Sequence, residues 1–219
     1  MDDLTLRGYW PLTETSGSTA YDYSGRGLDG TVYGASMGAS GLFGSGAYSF
    51  DGNDDYVKID SHVISAGKDS LSVSAWIYIT GNAGNSWERY VDVQDGNNGG
   101  ACALYWDDDD ARYGFSALNT QAIVTGANPP SGEWMLWTGV LRNGSIEFYM
   151  NAEKKAEAST SNTTSDSFVS IGKRYDANDQ VLAKMNDVRV YSHALSLQEI
   201  QYLYSVGSRG LHVSGKRTL

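Results

Sequence analysis

Cysteine is almost absent from this 219-residue chain, which contains only Cys102. A single cysteine excludes an intrachain disulfide, so a packed core has to hold the fold together. Cys102 lies in the apolar run ACALYW and is predicted to be a small core residue. Histidine is scarce as well. None of the three histidines stands in an HExxH motif or beside a candidate nucleophile, so the sequence gives no support to metalloprotease or triad chemistry.

Basic residues are outnumbered, because 16 lysines and arginines face 26 aspartates and glutamates and the net charge is −10. Binding to nucleic acid requires positive charge against the phosphates, so no nucleic-acid partner is expected. No segment approaches the roughly 18 consecutive apolar residues of a membrane-spanning helix, so no membrane insertion is expected. The opening MDDLTLRGYW lacks the basic start and apolar stretch of a signal peptide.

Tyrosine, tryptophan and glycine are abundant, at 15, 6 and 26 residues. Segments that alternate apolar and polar residues are separated by turn signals, which is typical of β-strands. LSVSAWIYI (71–79) has apolar side chains on both faces, as expected for a strand that is covered on both sides. Arg142-Asn143-Gly144 is the strongest hairpin signal. The other predicted strand segments are RYVDVQDGNNGGACALYW (89–106), RYGFSAL (112–118), EWMLWTGVLRNGSIEFYMNAEKK (133–155), SFVSIGK (167–173) and NDVRVYS (186–192).

One helix is predicted near the C-terminus, where Ser196-Leu197-Gln198-Glu199 forms a capping box. It is expected to run for about two turns and to end near Gly207. Residues 207–219 carry three basic residues and little core material, so they are predicted to be a basic tail after a domain of residues 1–206.

About a dozen strands with one short helix favour an all-β antiparallel sandwich of the jelly-roll type. A propeller would need a repeat of roughly 40–50 residues, and the sequence has none.

The stretch YSFDGNDDYVKID (48–60) is rich enough in acids to be tested as a calcium loop. Asp51, Asn53 and Asp55 fit the first oxygen-ligand positions of an EF-hand. Tyr56 stands where that loop needs glycine, and His62 stands where it needs glutamate, so an EF-hand is excluded. Glycine and asparagine between two alternating segments predict a hairpin turn over residues 50–56 instead.

Five motifs follow one another in an order that resembles a known family: GYWPLTETSGSTAYDYSGRGLDGTVYG (8–34), GAYSFDGNDDYVKI, LSVSAWIY, EWMLWTGVLRNGSIEFYMNAE and NDVRVYSHALSLQEIQYLY. Over about residues 4–206 the chain resembles the laminin-G-like branch of the concanavalin-A-like lectin/glucanase fold. The resemblance implies a double-layered β-sandwich. Proteins with this fold include lectins, glycosidase accessory modules, adhesins and virion proteins, so the resemblance leaves the function open.

The resemblance also implies a structural calcium ion. In such domains the ligands come from the D-x-S-G region and from the stretch before the last strand, which correspond here to Asp22, Asp29, Asn186 and Asp187. The family usually has two acids at the final pair, so this chain has lost one carboxylate. Calcium takes about six to eight oxygens, several of which can be backbone carbonyls, and the site therefore stays an expectation. The alternative is that Asp22 caps its own turn.

Glucanases of this fold carry two glutamates that flank an aspartate on one strand. The nearest pattern here is Glu88, Tyr90, Asp92 and Gln94, which are predicted to share one side of a strand. The two acids would lie roughly 13 Å apart at ~3.3 Å per residue, whereas a retaining pair needs about 5–5.5 Å. The chain is therefore predicted not to be an enzyme.

Glycan binding needs an aromatic surface for sugar CH faces and convergent amide and carboxylate groups for hydroxyls. Two alternatives remain open, namely that Trp106 is a core residue and that the aspartates form a solvated loop. Four adjacent aspartates repel one another unless a cation or a basic group lies among them. The candidates, all in the middle hairpin and its flanking loops, are Trp87, Tyr90, Asp92, Gln94, Asn97, Trp106, Asp107, Asp108, Asp109 and Asp110.

These observations predict a non-catalytic surface-recognition or decoration protein. A domain that starts at Met1 without an export signal fits a virion protein, which is made in the cytoplasm and released by lysis, on a capsid or tail that adheres to host-surface glycans. An acidic body with a basic tail suits docking onto other virion subunits, so an oligomer is expected. The alternative is an extracellular carbohydrate-binding module of a secreted enzyme or adhesin, and a glycoside hydrolase is the least favoured function.

Overall fold

The structure is a computed structural model, and it describes residues 5–42, 46–94, 100–117, 120–161, 164, 167–174 and 179–214. Within these residues the chain forms sixteen strands and one helix. The strands are β1 Leu6–Trp10, β2 Thr19–Ala20, β3 Gly30–Tyr33, β4 Ser36–Ser40, β5 Gly46–Asp51, β6 Tyr56–Ile64, β7 Ser70–Ile79, β8 Trp87–Gln94, β9 Gly100–Asp107, β10 Arg112–Ala117, β11 Thr120–Thr125, β12 Trp134–Arg142, β13 Ser145–Met150, β14 Glu153–Ser159, β15 Ser167–Ile171 and β16 Leu182–Tyr191, and the helix is α1 Leu197–Ser214.

The strands form two antiparallel sheets that pack face to face. The first sheet has the order β14-β13-β12-β7-β16-β5-β4, with β1 also paired to β16, and the second has the order β11-β10-β9-β8-β15-β6-β3-β2. We call the side of each sheet that faces the other sheet its inner face, and the opposite side its outer face. Trp137 of the first sheet meets Tyr90 of the second between them, with ring centroids 5.3 Å apart. The predicted antiparallel β-sandwich is confirmed.

Strand β7 is covered on both faces, as its sequence predicts. Ala75 and its alternate neighbours along the strand lie in the main core between the sheets. Trp76 points to the outer face, where it lies in a smaller apolar cluster with Leu42 and Leu136 and stacks on Tyr204 of the helix. The helix therefore covers part of the outer face of the first sheet.

The helix begins at the predicted cap but does not end where predicted. Ser196 and Glu199 form the reciprocal capping box, since the backbone NH of Ser196 donates to Glu199 Oε2 and the backbone NH of Glu199 donates to Ser196 Oγ. The expected end at Gly207 is wrong, because the helix continues to Ser214. Gly207 is buried against the Trp76 indole, where a Cβ would lie 2.3 Å from the ring. This glycine allows close packing and does not end the helix.

Of the three predicted hairpins, two are confirmed and one is wrong. Strands β8 and β9 pair antiparallel, as the hairpin predicted within residues 89–106 requires. Asn143 and Gly144 form a two-residue loop between β12 and β13, and both have positive φ (33° and 89°), as an Asn-Gly turn requires. The hairpin expected over residues 50–56 does not form. Strand β5 belongs to the first sheet and β6 to the second, so this stretch crosses from one sheet to the other. Gly52 and Asn53 do bend the chain, but local sequence does not reveal which strand each arm pairs with.

Candidate functional site

A β-bulge in β8 decides where the predicted site residues point. Arg89 pairs with Tyr105 of β9, but Val91 pairs with Leu104, so Tyr90 is an extra residue on β8. Side chains normally alternate between the faces of a strand, and one extra residue reverses that alternation. The prediction that Glu88, Tyr90, Asp92 and Gln94 share one side of the strand is therefore wrong.

Glu88, Tyr90 and the facing Trp106 of β9 lie inside the sandwich. Glu88 pairs across the strands with Trp106, which belongs to the main core, and Glu88 is itself buried. Tyr90 is fully buried against Trp137. Tyr90 and Trp106 are thus core residues, and they cannot contact a ligand on the outer face. For Trp106, the core alternative that the sequence left open is the one found.

After the bulge, the remaining polar candidates of β8 point outward. Val91 and Val93 belong to the core, so Asp92 and Gln94, which alternate with them, lie on the outer face of the second sheet. Asp92 is directly opposite Ser170 of the neighbouring strand β15. The three side chains therefore lie together on two adjacent strands.

Buried polar atoms without a partner mark this part of the outer face. Asp92 Oδ2, both amide atoms of Gln94 and Ser170 Oγ are shielded from water, as is Tyr105 OH on β9, and none of them has a hydrogen-bond partner in the described part of the chain. We call Asp92, Gln94, Ser170 and Tyr105 the polar set. Native proteins pair the large majority of their buried polar groups, so several unpaired atoms on three adjacent strands call for an explanation. The arrangement can donate hydrogen bonds and can also accept them.

An ion pair forms the solvent-facing rim of the polar set. Arg89 Nη1 donates to Asp92 Oδ1 at 3.1 Å, and Arg89 Nε donates to Asp179 Oδ2 at 3.0 Å. Arg89 and Asp179 each keep 17% of their side chains exposed, whereas Asp92 keeps 1%. Burial raises the pKa of Asp92 to about 6, although Arg89 and Arg174 act to lower it.

Trp87 lies at the end of β8, but its ring is already packed within the protein. The ring stacks on Tyr105 with centroids 5.1 Å apart. The guanidinium groups of Arg89 and Arg112 lie 5.7 Å and 5.4 Å from its centroid, within the range of cation–π contacts. The predicted aromatic surface for sugar stacking is thus occupied largely by the protein's own side chains.

The run of four aspartates is organised around one arginine. Arg112 Nη2 lies 2.7 Å from Asp107 Oδ2 and 3.0 Å from Asp110 Oδ2, so a basic group does lie among the acids. Asp107 is buried, whereas Asp109 and Asp110 are exposed in the turn between β9 and β10, with Asp108 half-buried beside them. Asp107 and Asp110 therefore stabilise this turn through Arg112. Asn97 lies outside the described residues.

The residues predicted to bind calcium near the D-x-S-G motif are engaged by protein donors. Asp22 Oδ1 accepts from the backbone NH groups of Tyr9 and Ser24, and Oδ2 accepts from Ser24 Oγ and the Leu28 NH. Burial on its own would raise the pKa of Asp22, but the three backbone NH groups together lower it. Asp29 Oδ1 accepts from the Asp22 NH. This is the turn-capping arrangement that the sequence offered as the alternative to calcium.

The other two predicted ligands are also occupied. Asn186 Oδ1 accepts from the Leu42 NH, and its amide donates to Pro11 O. Both carboxylate oxygens of Asp187 accept from Arg189, at 2.5 Å and 3.2 Å. An acid neutralised by arginine is a poor calcium ligand, so the four predicted residues do not fit a shared calcium site. Calcium binding by the chain stays a prediction.

A different group of acids has the geometry that a cation would need. Asp51, Asp54 and Asp55 lie where the chain crosses between the sheets, and each has a carboxylate oxygen within 4.8 Å of the others'. Burial raises the pKa of Asp55, and the carboxylates of Asp51 and Asp54 raise it further. In the described part of the chain these are the acids that could hold a metal ion together, although not as the EF-hand loop that the sequence excludes.

Sequence reasoning missed several residues around the polar set. Within SFVSIGK, Ser170 lies between two apolar residues, as the alternation of a strand predicts. Nothing in the local sequence indicates that this strand, β15, inserts between β6 and β8. Tyr105 lies within the apolar run ACALYW, which predicts a core strand, and Asp179 precedes the last strand by three residues. Strand order across the second sheet brings Ser170 beside Asp92. Asp179, which precedes β16 of the first sheet, is held there because its carbonyl oxygen accepts from the Arg89 backbone NH. The sequence signal for this part of the site was a serine, Ser170, between the apolar residues Val169 and Ile171.

The geometry defines an antiparallel β-sandwich, in which the core lies between the two sheets and buried polar groups collect on one outer face. A family profile described as the concanavalin A-like lectin/glucanases superfamily, laminin G type, matches residues 51–201. The chain belongs to this family. A search of the curated proteins by sequence finds no significant match.

Solved structures with the same fold have low sequence identity to this chain. Domain 4 of AbnA, an extracellular GH43 arabinanase from Geobacillus stearothermophilus, in complex with arabinotriose, has a TM-score of 0.68 at 15% identity and covers 91% of this chain and 98% of that one. Trypanosoma rangeli sialidase in complex with sialic acid has a TM-score of 0.68 at 12% identity and covers 91% of this chain. The botulinum neurotoxin serotype D binding domain has a TM-score of 0.69 at 14% identity and covers 92% of this chain. The chain spans 32% of the sialidase and 52% of the toxin domain, and the likeness concerns the fold.

No helix in the described ranges combines the length and the apolar character that crossing a membrane requires.

Proposed function

We propose that this chain is a non-catalytic carbohydrate-binding domain whose ligand site is the outer face of the second sheet around the polar set. The observation that carries the proposal is the group of buried, unpaired polar atoms on Asp92, Gln94 and Ser170. Leaving such a group without a partner costs about 1–3 kcal/mol, so a ligand that supplies partners gains affinity there. Sugar hydroxyls suit a mixed set of donors and acceptors, because each hydroxyl both donates and accepts.

The separation of the acids supports binding without hydrolysis. A glycosidase needs two carboxyl groups that flank one glycosidic bond, about 5–5.5 Å apart in retaining enzymes. The bulge at Tyr90 directs Glu88 inward and Asp92 outward, so these two acids do not face a common substrate. An assay for reducing sugar released from a panel of β-glucans and arabinans tests this part, and release above that of a Glu88→Gln, Asp92→Asn double variant would overturn it.

Two of the similar structures support a carbohydrate as the ligand class. The arabinanase domain was solved with arabinotriose, and that domain is covered almost completely by this chain, so the match concerns an accessory-sized unit. The sialidase was solved with sialic acid. The identities are too low to carry a ligand over, and the proposal for this chain therefore stands on the polar set.

A glycan array followed by calorimetry tests the proposal. We expect glycans that bind on the array to lose about tenfold in affinity when Ser170→Ala or Gln94→Leu removes one member of the polar set. Each lost hydrogen bond is worth roughly 1 kcal/mol or more. Ser72→Ala is the matched control, because Ser72 is also a buried strand serine but lies on the first sheet, where it bonds to His193 O. Runs with calcium and with chelator show whether a metal contributes. An array with no hit in either condition would overturn the proposal.

We further propose that the domain is displayed on a virion surface, on a capsid or tail, where it adheres to host-surface glycans. The support is the charge distribution, since an acidic chain of net charge −10 ends with the basic residues Arg209, Lys216 and Arg217, which suits docking onto another acidic subunit. Immunogold labelling of purified particles tests this location.

The second candidate function is a carbohydrate-binding module of an extracellular enzyme or adhesin, to which the arabinanase domain is the structural parallel. Detection of the secreted protein in particle-free medium would favour this candidate.

A further inference from the structure

We propose that Asp92 makes the site selective for uncharged sugars over sugars that carry a carboxylate or sulfate. This inference rests on the proposed function and concerns the same site. It narrows the ligand class to neutral, hydroxyl-rich glycans. It also distinguishes between the two kinds of sugar found in the similar structures, because arabinotriose is neutral and sialic acid is an acid.

The geometry of the Asp92 carboxylate carries the inference. Oδ1 accepts from Arg89 at 3.1 Å, and Oδ2 is buried with no partner among the described residues. An ionised carboxylate oxygen can only accept hydrogen bonds, so it selects a ligand hydroxyl that donates. Gln94 and Ser170 beside it supply both donors and acceptors for the rest of that ligand. A second carboxylate at this position would bring two like charges together away from water, which is strongly unfavourable.

The charges around Asp92 do not compensate for a further negative group. On β8 itself, Arg89 is shared between Asp92 and Asp179. From β6, Lys58 lies opposite Ser170 and bonds to Asp60 at 2.6 Å. Arg174, after β15, adds positive charge at Asp92, and Asp179 adds negative charge there. From β9, Tyr105 and Cys102 are neutral at physiological pH, because burial raises the pKa of each. Among the described residues around Asp92, these positive charges are thus matched by carboxylates, so they give an acidic ligand no net attraction.

Selectivity should depend on pH because Asp92 is titratable. Burial, opposed by Arg89 and Arg174, raises the pKa of Asp92 to about 6. Above that value the carboxylate is ionised and repels an acidic sugar. Below it the protonated acid can donate a hydrogen bond to a ligand carboxylate, so discrimination against acidic sugars should decline.

The test compares matched glycan pairs, in which a neutral glycan is measured against the same glycan carrying one carboxylate, such as lactose against 3′-sialyllactose. For the wild-type protein near neutral pH we expect the neutral member of each bound pair to be favoured by about tenfold or more. Asp92→Asn should reduce that ratio several-fold. Glu153→Gln, which removes one negative charge from the exposed β14 edge of the first sheet, is the control and should leave the ratio unchanged.

A pH series on the wild-type protein keeps the test independent of how Asp92→Asn folds, since the ratio should decline as the pH falls through about 6. Equal affinity for neutral and acidic members, or a ratio that neither Asp92→Asn nor pH changes, overturns the inference while the proposed function stands. Preference for the acidic members overturns it as well. If no glycan binds under any condition, the proposed function fails, and the inference fails with it.

Discussion

Glu88 and Asp92 lie four residues apart on one strand, yet one side chain is buried between the sheets and the other points to the outer face. The bulge at Tyr90 is the cause, because one extra residue exchanges the two faces. This relationship separates an acid of the core from an acid of the candidate binding site. Replacing Glu88 should therefore change the stability of the fold, whereas replacing Asp92 should change glycan binding.

Replacing Glu88 should change how stability depends on pH. Burial raises the pKa of Glu88 to about 7 from 4.5, despite the Ala83 and Leu182 backbone NH groups that lower it, so folding favours the protonated acid. Its stabilising contribution is complete below about pH 4.5 and is lost as the pH rises through 7. Glu88→Gln mimics the neutral acid and should be more stable than wild type above pH 7, by up to about 3 kcal/mol.

Urea unfolding of Glu88→Gln at about pH 5 and about pH 8.5 checks this, with Glu133→Gln, an exposed position, as the control. The difference between Glu88→Gln and wild type should appear only at the higher pH. A pH-independent difference would mean that Glu88 is ionised in the folded chain. Glycan binding should be the same in Glu88→Gln and wild type, since Glu88 does not reach the outer face.

Ser170→Ala should leave the stability of the free protein unchanged or raise it while weakening glycan binding. Ser170 Oγ is buried without a partner, so its removal loses no hydrogen bond. Ser72 is equally buried, but its Oγ donates to His193 O and accepts from the Leu195 NH. Ser72→Ala should therefore cost about 1–3 kcal/mol. Denaturant unfolding of both variants checks the contrast, and a clear loss of stability in Ser170→Ala would place a protein partner at this hydroxyl.

Asp22→Ala should destabilise the chain to the same extent with calcium and with chelator. The carboxylate accepts four hydrogen bonds from Tyr9, Ser24 and Leu28, and their loss should cost about 1–3 kcal/mol. Because these bonds lower the pKa of Asp22, the stabilisation is present above its unfolded value of 3.8 and is lost as the pH falls through the folded one. Thermal unfolding in both solutions measures the effect.

A calcium-dependent effect of Asp22→Ala would contradict this prediction. If calcium raises the midpoint of wild type and Asp22→Ala abolishes that rise, Asp22 is a calcium ligand, as the family resemblance implies. If calcium raises the midpoints of wild type and Asp22→Ala equally, a different group of oxygens holds the ion.

Gly207→Ala should destabilise the protein even though alanine favours helix. A Cβ at this position would lie 2.3 Å from the Trp76 ring, and that ring is held by Tyr204 and the outer face of the first sheet. Crowding of this kind costs about 1–3 kcal/mol, more than the ~1 kcal/mol that alanine gains over glycine in a helix. Gln201→Ala, at an exposed position of α1, is the control and should change stability little. Stabilisation by Gly207→Ala would show that the helix does not pack on Trp76.

Several elements could be predicted from sequence because their causes are local. Apolar alternation identified β7 and its two covered faces, Asn143-Gly144 identified a hairpin, and Ser196 with Glu199 identified the start of the helix. Each of these depends on residues only a few positions apart. The number of short strands favoured the sandwich, the family resemblance implied it as well, and the sequence drew attention to Asp92 and Gln94.

The tertiary structure decided which faces and partners these elements have. The bulge at Tyr90 left Tyr90 in the core and turned Asp92 and Gln94 to the outer face, and the insertion of β15 beside β8 brought Ser170 to Asp92. The sequence by itself determined an acidic, disulfide-free β-sandwich with a capped C-terminal helix. Strand order, bulges and close contacts such as Gly207 on Trp76 were decided by packing between distant segments, because their free energies depend on neighbours that no local pattern specifies.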